Sequence, residues 1–233
     1  MADSARSNLV YDYIIESIQS GKWRPGEKIT TENDLCDLLG VSRAAVRAAL
    51  DRLSALGVLE KRKGSGTFVR EIDLGRLIGD IAPLLTLQPL DLLDILNFRL
   101  YFEPGNVREF MRHQDAARIS ALQATYDRMV HHAASRGFYL ADLEFHREIA
   151  HGTHNPVTIA ISDMLTAVME QSFGAMYARI GPEIGLRYHQ NIMEAINHRE
   201  TDLAMLLMKR HIEENIARII QIQQETDDAQ TTD

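Results

Sequence analysis

Cysteine is almost absent from this sequence. Cys36 stands alone, which excludes an intramolecular disulfide framework, and its place in an apolar-periodic segment suggests a buried, inert thiol. Long apolar runs are missing too. The richest apolar stretch, residues 77–96, is interrupted by Asp80, Pro83, Pro89, Asp91 and Asp94 and cannot span a bilayer. The opening residues MADSARSN have no apolar core, so no signal peptide is expected, and the expected location is the cytoplasm. From Pro89 onward strand-like alternation is lacking. Positive charge is also short, with 25 Lys and Arg against 33 Asp and Glu, a net −8 that argues against a nucleic-acid partner until the chain is divided. Residues 1–70 hold 11 basic and 9 acidic residues, a balance of +2, whereas the remainder holds 14 and 24, a balance of −10. Any affinity for nucleic acid is therefore expected at the N-terminal end. At 233 residues and 45% apolar content, the chain is long enough for two domains.

What is present is organised around VSRAAVRAALDRLSAL, residues 41–56. Ser42 is a good N-cap, and Val46, Ala49, Leu50, Leu53 and Leu56 recur at helical steps to give one buried stripe. The other face carries Ala44, Arg47, Ala48 and Asp51, with Arg43 in the first turn. Arginine forks match phosphate and guanine edges, and alanines let a backbone approach a duplex. Just before it, Thr31-Glu32-Asn33-Asp34 has capping spacing, Leu35, Leu38 and Leu39 form a second stripe, and Gly40 ends that helix. A short helix, a glycine turn and an amphipathic helix make a helix-turn-helix. Residues 58–63 and 67–70 then flank Gly64-Ser65-Gly66 as two strand-like runs, a hairpin with a basic edge. Upstream, residues 5–20 read as a helix, and Trp23 and Ile29 are expected to pack on this domain.

After a connector at residues 71–79, helical periods fall at about 89–112, 115–134, 138–152, 156–180, 183–199 and 202–224. Asp115, Pro156, Pro182 and Asp202 suit helix starts, and such short loops imply antiparallel neighbours. The expected fold is mostly α: a winged helix-turn-helix over residues 1–70 and an all-helical antiparallel bundle over 80–224. A polar tail, 225–233, is expected to fray.

Among nine histidines, three stand out. Asp142 and His146 are four apart and share a helix face. His189 and His211 lie eleven residues before and after Glu200, where the last hairpin turns, so antiparallel packing sets them level. One carboxylate and three imidazoles suit Zn, Ni, Mn or Fe rather than Ca. Spacing alone leaves open that each is an ordinary hydrogen-bonded core histidine, the class to which His113, His131, His132, His151, His154 and His198 are assigned.

The N-terminal pattern resembles the winged-helix domain of the GntR superfamily of bacterial transcription regulators. The resemblance rests on Pro25-Gly26-Glu27-Lys28-Ile29, Gly40-Val41-Ser42-Arg43, Val46-Arg47, Ala49-Leu50, Leu53, Gly57 and Gly64-Ser65-Gly66-Thr67-Phe68-Val69. It implies that Ser42, Arg43, Ala44 and Arg47 meet the major groove of double-stranded operator DNA, and that the tip formed by Lys63, Gly64, Ser65 and Gly66 meets the minor groove. Many relatives carry arginine where this chain has Asn33, so a contact there is expected to be altered. Residues 75–220 resemble the FCD ligand-binding domain of the FadR-type subgroup, through Arg99 with Glu103, Asp142, Phe145-His146, Asn155, Glu194-Ala195-Ile196 and residues 204–211. That resemblance implies a metal held by Asp142, His146, His189 and His211, for which the ligand set puts Zn first, with a small carboxylate or sugar-acid effector beside it. Arg99 is the candidate clamp for the effector carboxylate, the alternative being an exposed ion pair with Glu103. The expected function is a homodimeric, ligand-responsive repressor that is not an enzyme. A metalloenzyme with an appended winged helix and a pure metal sensor are the rivals.

Overall fold

A computed structural model of the chain describes residues 2–71, 75, 79, 84, 87, 90–113, 115–133 and 135–231. The connector expected at 71–79 lies largely outside these residues. The chain divides into two compact units, Met1–Asp73 and Leu74–Asp233.

In the first unit, helices α1 (Ala2–Gln19), α2 (Glu32–Leu39) and α3 (Arg43–Ala55) precede strands β1 (Leu59–Arg62) and β2 (Gly66–Val69). Thr31 caps α2 by accepting from the Asp34 amide at 3.3 Å, and its hydroxyl donates back to the Asp34 carboxylate at 2.6 Å. Gly40 ends the helix with φ 64°, a left-handed conformation that costs glycine no side-chain clash. Two residues on, Ser42 accepts from the Ala45 amide at 3.2 Å and starts α3. Val46, Ala49, Leu50 and Leu53 are buried, and pack with Val10, Ile14, Trp23, Ile29 and Leu35 into one core. Leu56 departs from the expected stripe. The helix ends at Ala55, so Leu56 is the cap residue and stays 44% exposed. Cys36 is half-buried rather than fully enclosed. The strands pair antiparallel from Leu59–Val69 to Arg62–Gly66, which makes the wing.

The second unit comprises α4 (Leu92–His113), α5 (Ala116–His131), α6 (Arg136–His151), α7 (Pro156–Ser172), α8 (Gly174–Ile180), α9 (Glu183–Asn197) and α10 (Thr201–Thr231). Asp115 and Asn155 each accept from two amides of the first turn, and Pro156 takes the first position, where no amide donor is missed. α10 packs on α4 and α9, and α6 on α5 and α7, around one hydrophobic core.

Two departures from the periodicity matter. The segment expected as one helix over 156–180 is broken at Phe173, whose φ of −123° stops α7 and starts the short α8. α10 continues to Thr231, past the point where fraying was expected. Around residues 221–226 it is held by Gln221, which donates to Glu225 at 2.9 Å, and by Arg179, which donates to Thr226 at 3.0 Å. α4 runs through Pro104, which removes one helical hydrogen bond without ending the helix. Among the described residues no helix is long and apolar enough to cross a membrane.

Candidate DNA-contact surface and metal centre

On the first unit, Asn33, Ser42, Arg43, Ala44 and Arg47 are all exposed, as are Lys63, Gly64, Ser65 and Gly66 at the tip of the wing. Ser42 uses one lone pair of its hydroxyl oxygen for capping, which leaves its hydroxyl hydrogen to donate elsewhere. Arg47 pairs with Glu32 at 2.9 Å but is 62% exposed, so a phosphate or base edge can displace the carboxylate at little cost. The other wing cations are engaged: Lys61 with Asp51 at 2.5 Å, and Arg62 with Glu60 and over the Phe68 ring at 4.3 Å. Arg43 and Lys63 make no ion pair among the described residues. Gly66 has φ 112°, a conformation that residues with a side chain adopt only under strain, so the wing turn favours glycine there.

In the second unit, the bundle brings Asp142 and His146 from α6 together with His189 from α9 and His211 from α10. One ligand atom from each lies within 4.8 Å of all the others. All four side chains are buried, from 0% exposure at His189 to 6% at His146. The His146 Nε2 atom is 3.2 Å from His189 Nε2 and 3.3 Å from His211 Nε2, and Asp142 Oδ1 is 3.6 Å from His189 Nδ1. The level pairing of His189 and His211 follows from the α9–α10 hairpin, where Arg199 takes φ 61° just before α10 begins. Burial, then the neighbouring His146, holds the His189 imidazole well below its ordinary pKa. Burial, then His189 and His146, does the same to His211. Both rings are therefore neutral and offer lone pairs. Burial pushes the Asp142 carboxyl up, against the pull of His146 and Arg99. Asp142 Oδ2, His189 Nδ1 and His211 Nδ1 are buried without hydrogen-bond partners. The imidazole Nε2 atoms crowd within 3.2–3.3 Å of His146 Nε2 and cannot all carry protons, so a cation among these lone pairs and the Asp142 carboxylate would satisfy them at once.

Behind His146 stands Glu103 of α4, a residue that spacing did not assign to the centre. Its Oε2 is 2.6 Å from His146 Nδ1, at an ion-pair distance but off the angle of a good hydrogen bond. A carboxylate there draws the imidazole proton to Nδ1 and leaves Nε2 free to ligate. Glu103 in turn pairs with Arg99, one helical turn earlier, at 2.5 Å. The ion pair is present, but buried rather than exposed. Burial pushes the Glu103 carboxyl up, and Arg99 and His146 more than offset this and hold it well below the usual carboxylate range. Burial likewise opposes charge on Arg99, but Glu103 keeps it firmly cationic. Arg99 Nη1 donates to the Tyr177 hydroxyl at 3.1 Å, and Nη2 is buried without a partner. Tyr177 comes from α8, beyond the break at Phe173 that the expected single helix over 156–180 did not include. Its phenol is pushed up to about 12 by burial, against Arg99.

Fold and sites together define a class: a winged-helix DNA-binding unit joined in one chain to a helical unit with a buried polar centre. Residues 6–69 match the family described as bacterial regulatory proteins, gntR family, and residues 94–214 match the FCD domain. The chain belongs to this family, as a FadR-type transcription regulator with an N-terminal helix-turn-helix and a C-terminal FCD domain, and not to a family of enzymes. It is 30% identical over 210 residues to the uncharacterized HTH-type transcriptional regulator YcbG of Bacillus subtilis, covering 87% of this chain and 85% of that one. It is 25% identical over 198 residues to the galactonate operon transcriptional repressor of Escherichia coli, covering 81% and 86%. Among solved structures, Streptococcus agalactiae GntR shares the fold, with a TM-score of 0.54 at 22% identity, covering 91% of this chain and 99% of that one.

Proposed function

We propose that the protein is a homodimeric repressor that binds double-stranded operator DNA in the cytoplasm and is controlled by a small carboxylate or sugar acid held beside a metal in the helical domain. The carrying observation is the convergence of Asp142, His146, His189 and His211 ligand atoms within 4.8 Å, all buried. Zn suits one carboxylate and three imidazoles best, with Ni, Mn and Fe as alternatives. When bound, the cation supplies positive charge and a coordination position for a carboxylate oxygen. Asp142 and the three histidines hold it, Glu103 orients His146, and Arg99 offers its unpartnered Nη2 to the second carboxylate oxygen. Repressor relatives support the sign of regulation, and the galactonate operon repressor supports a sugar acid as the class of effector.

On the DNA side, Arg43 and Arg47 read or clamp the major groove, with Ser42, Ala44 and Asn33 beside them. Lys63, Gly64, Ser65 and Gly66 enter the minor groove. A helix-turn-helix reads paired half-sites as a dimer, and the effector alters operator affinity only by binding the competent and incompetent dimers unequally. The test is a DNA titration of metal-loaded protein with and without sugar acids. An acid that releases operator only when metal is bound supports the reading. Metal alone switching affinity, with no acid effect, identifies a pure metal sensor instead.

A further inference from the structure

The space beside Arg99 is too small for the effector. A gap of only about 10 Å³ borders Arg99, Glu103, His146 and Met169, room for about one water. A far larger cavity, about 730 Å³, opens between the start of α6, the end of α7 and α8. Its inner wall is formed by Phe138, Tyr139 and Tyr177, all nearly buried, and its mouth carries Arg136, Glu170 and Ser172.

This cavity backs directly onto the centre. Tyr177 lines it, and the same side chain accepts from Arg99 Nη1 at 3.1 Å. Tyr139 stacks on Tyr177 with ring centroids 4.6 Å apart. Phe138 lies one helical turn before Asp142, and Gly185 packs near both, since a Cβ built there would meet Phe138 Cζ at 2.7 Å and Asp142 Oδ1 at 3.1 Å. Tyr177 therefore stands between the cavity and Arg99. The Tyr177 ring sits on a seven-residue helix bounded by the uncapped Phe173 and by Gly181 at φ 85°.

We propose, resting on the effector reading above, that this cavity is the effector's tail subsite, and that Tyr177 is the partition displaced when the carboxylate reaches Arg99. Its volume falls in the range of small-molecule sites, about 300–1,000 Å³. Its lining selects the chemistry of the tail. Ring faces pack against C–H surfaces of a carbon chain, while the guanidinium, carboxylate and hydroxyl at the mouth bond to hydroxyl groups. That combination fits a polyhydroxylated chain, such as that of a six-carbon aldonic acid, better than an alkyl one.

Calorimetric titration of the metal-loaded full-length protein tests this, with D-galactonate and D-gluconate as long acids and glycolate as the short one. Wild type binds one of the long acids at least tenfold tighter than glycolate. Ala178→Trp fills the cavity from its exposed rim, and weakens the long acid at least tenfold while glycolate affinity and metal content stay unchanged. Ala175→Trp, three residues earlier on the same lining face, gives the second reading should the first variant fail to fold. Equal binding of long and short acids by wild type, or long-acid affinity unchanged in a folded variant, overturns the subsite and leaves the carboxylate reading intact. Failure of all three acids to bind overturns both.

Discussion

Glu103→Gln separates the function of the buried charge relay from its shape. The wild-type carboxylate faces Arg99 Nε on one side and His146 Nδ1 on the other, with both partners buried. Glutamine keeps the length and one acceptor oxygen. If that oxygen stays on Arg99, the amide nitrogen meets His146 Nδ1 as donor against donor. The imidazole must then move its proton to Nε2, the nitrogen that faces His189 and His211. Losing the orienting partner of a ligating histidine typically costs about 10–100-fold in metal affinity. The folded protein suffers as well, because Arg99 becomes a buried cation without a counter-charge. Breaking such a pair costs about 3–5 kcal/mol when the partner is lost outright, and the retained amide acceptor puts this variant at the lower end. For a unit of this size, about 3 kcal/mol lowers Tm by roughly 6–12 °C. Metal affinity from chelator competition and Tm of metal-free protein give the two numbers separately. Wild-type values for both would refute the relay, and lost stability with unchanged metal affinity would reduce Glu103 to a structural partner of Arg99.

Other expectations follow from the same geometry. Arg47→Ala should cost about 1–3 kcal/mol of operator affinity if the side chain reads a base, or lower the salt slope by about one if it holds phosphate; unchanged binding in this and in Arg43→Ala would remove both from the interface. Metal-free protein should lose stability on acidification. His189 and His211 stay neutral when folded but protonate near pH 6.5 when unfolded, so stability is present above that pH and falls by up to about 2.7 kcal/mol per unit below it, opposed at lower pH by the raised Asp142. Melts from pH 7.5 to 5 check this, and a flat profile would contradict neutral buried rings. Arg99→Lys keeps a cation for Glu103 but removes Nη2, so it should retain metal and operator binding and lose the response to acid; a normal response would remove Arg99 from effector recognition.

How much of this was legible beforehand depends on the range of the interactions. Thr31, Gly40, Ser42, Asp115 and Pro156 mark their helix ends through bonds to neighbours a few residues away, and the helix starts fall within a residue or two of where that chemistry puts them. His189 and His211 could be set level because a hairpin turns symmetrically about its loop. The roles of Glu103 and Tyr177 were not legible. Glu103 reads as half of an ordinary i,i+4 pair, and only the packing of α4 on α6 sets it against His146. Tyr177 sits where apolar periodicity continues, and the one local sign of the break at Phe173 is Gly174 beside it, a weak helix breaker that the period over 156–180 outweighed. Leu56 was misjudged because the stripe continues one residue beyond the helix that carries it.

The central claim is that Asp142, His146, His189 and His211 form one metal centre. Elemental analysis of the purified protein, beside His189→Ala and His211→Ala with their melting temperatures, tests it most directly. The account predicts one transition metal ion per chain in wild type, none in either variant after dialysis, and a Tm that rises with added metal only in wild type, since a ligand bound to the native state alone stabilises it. Stoichiometric metal persisting in both variants would contradict the account.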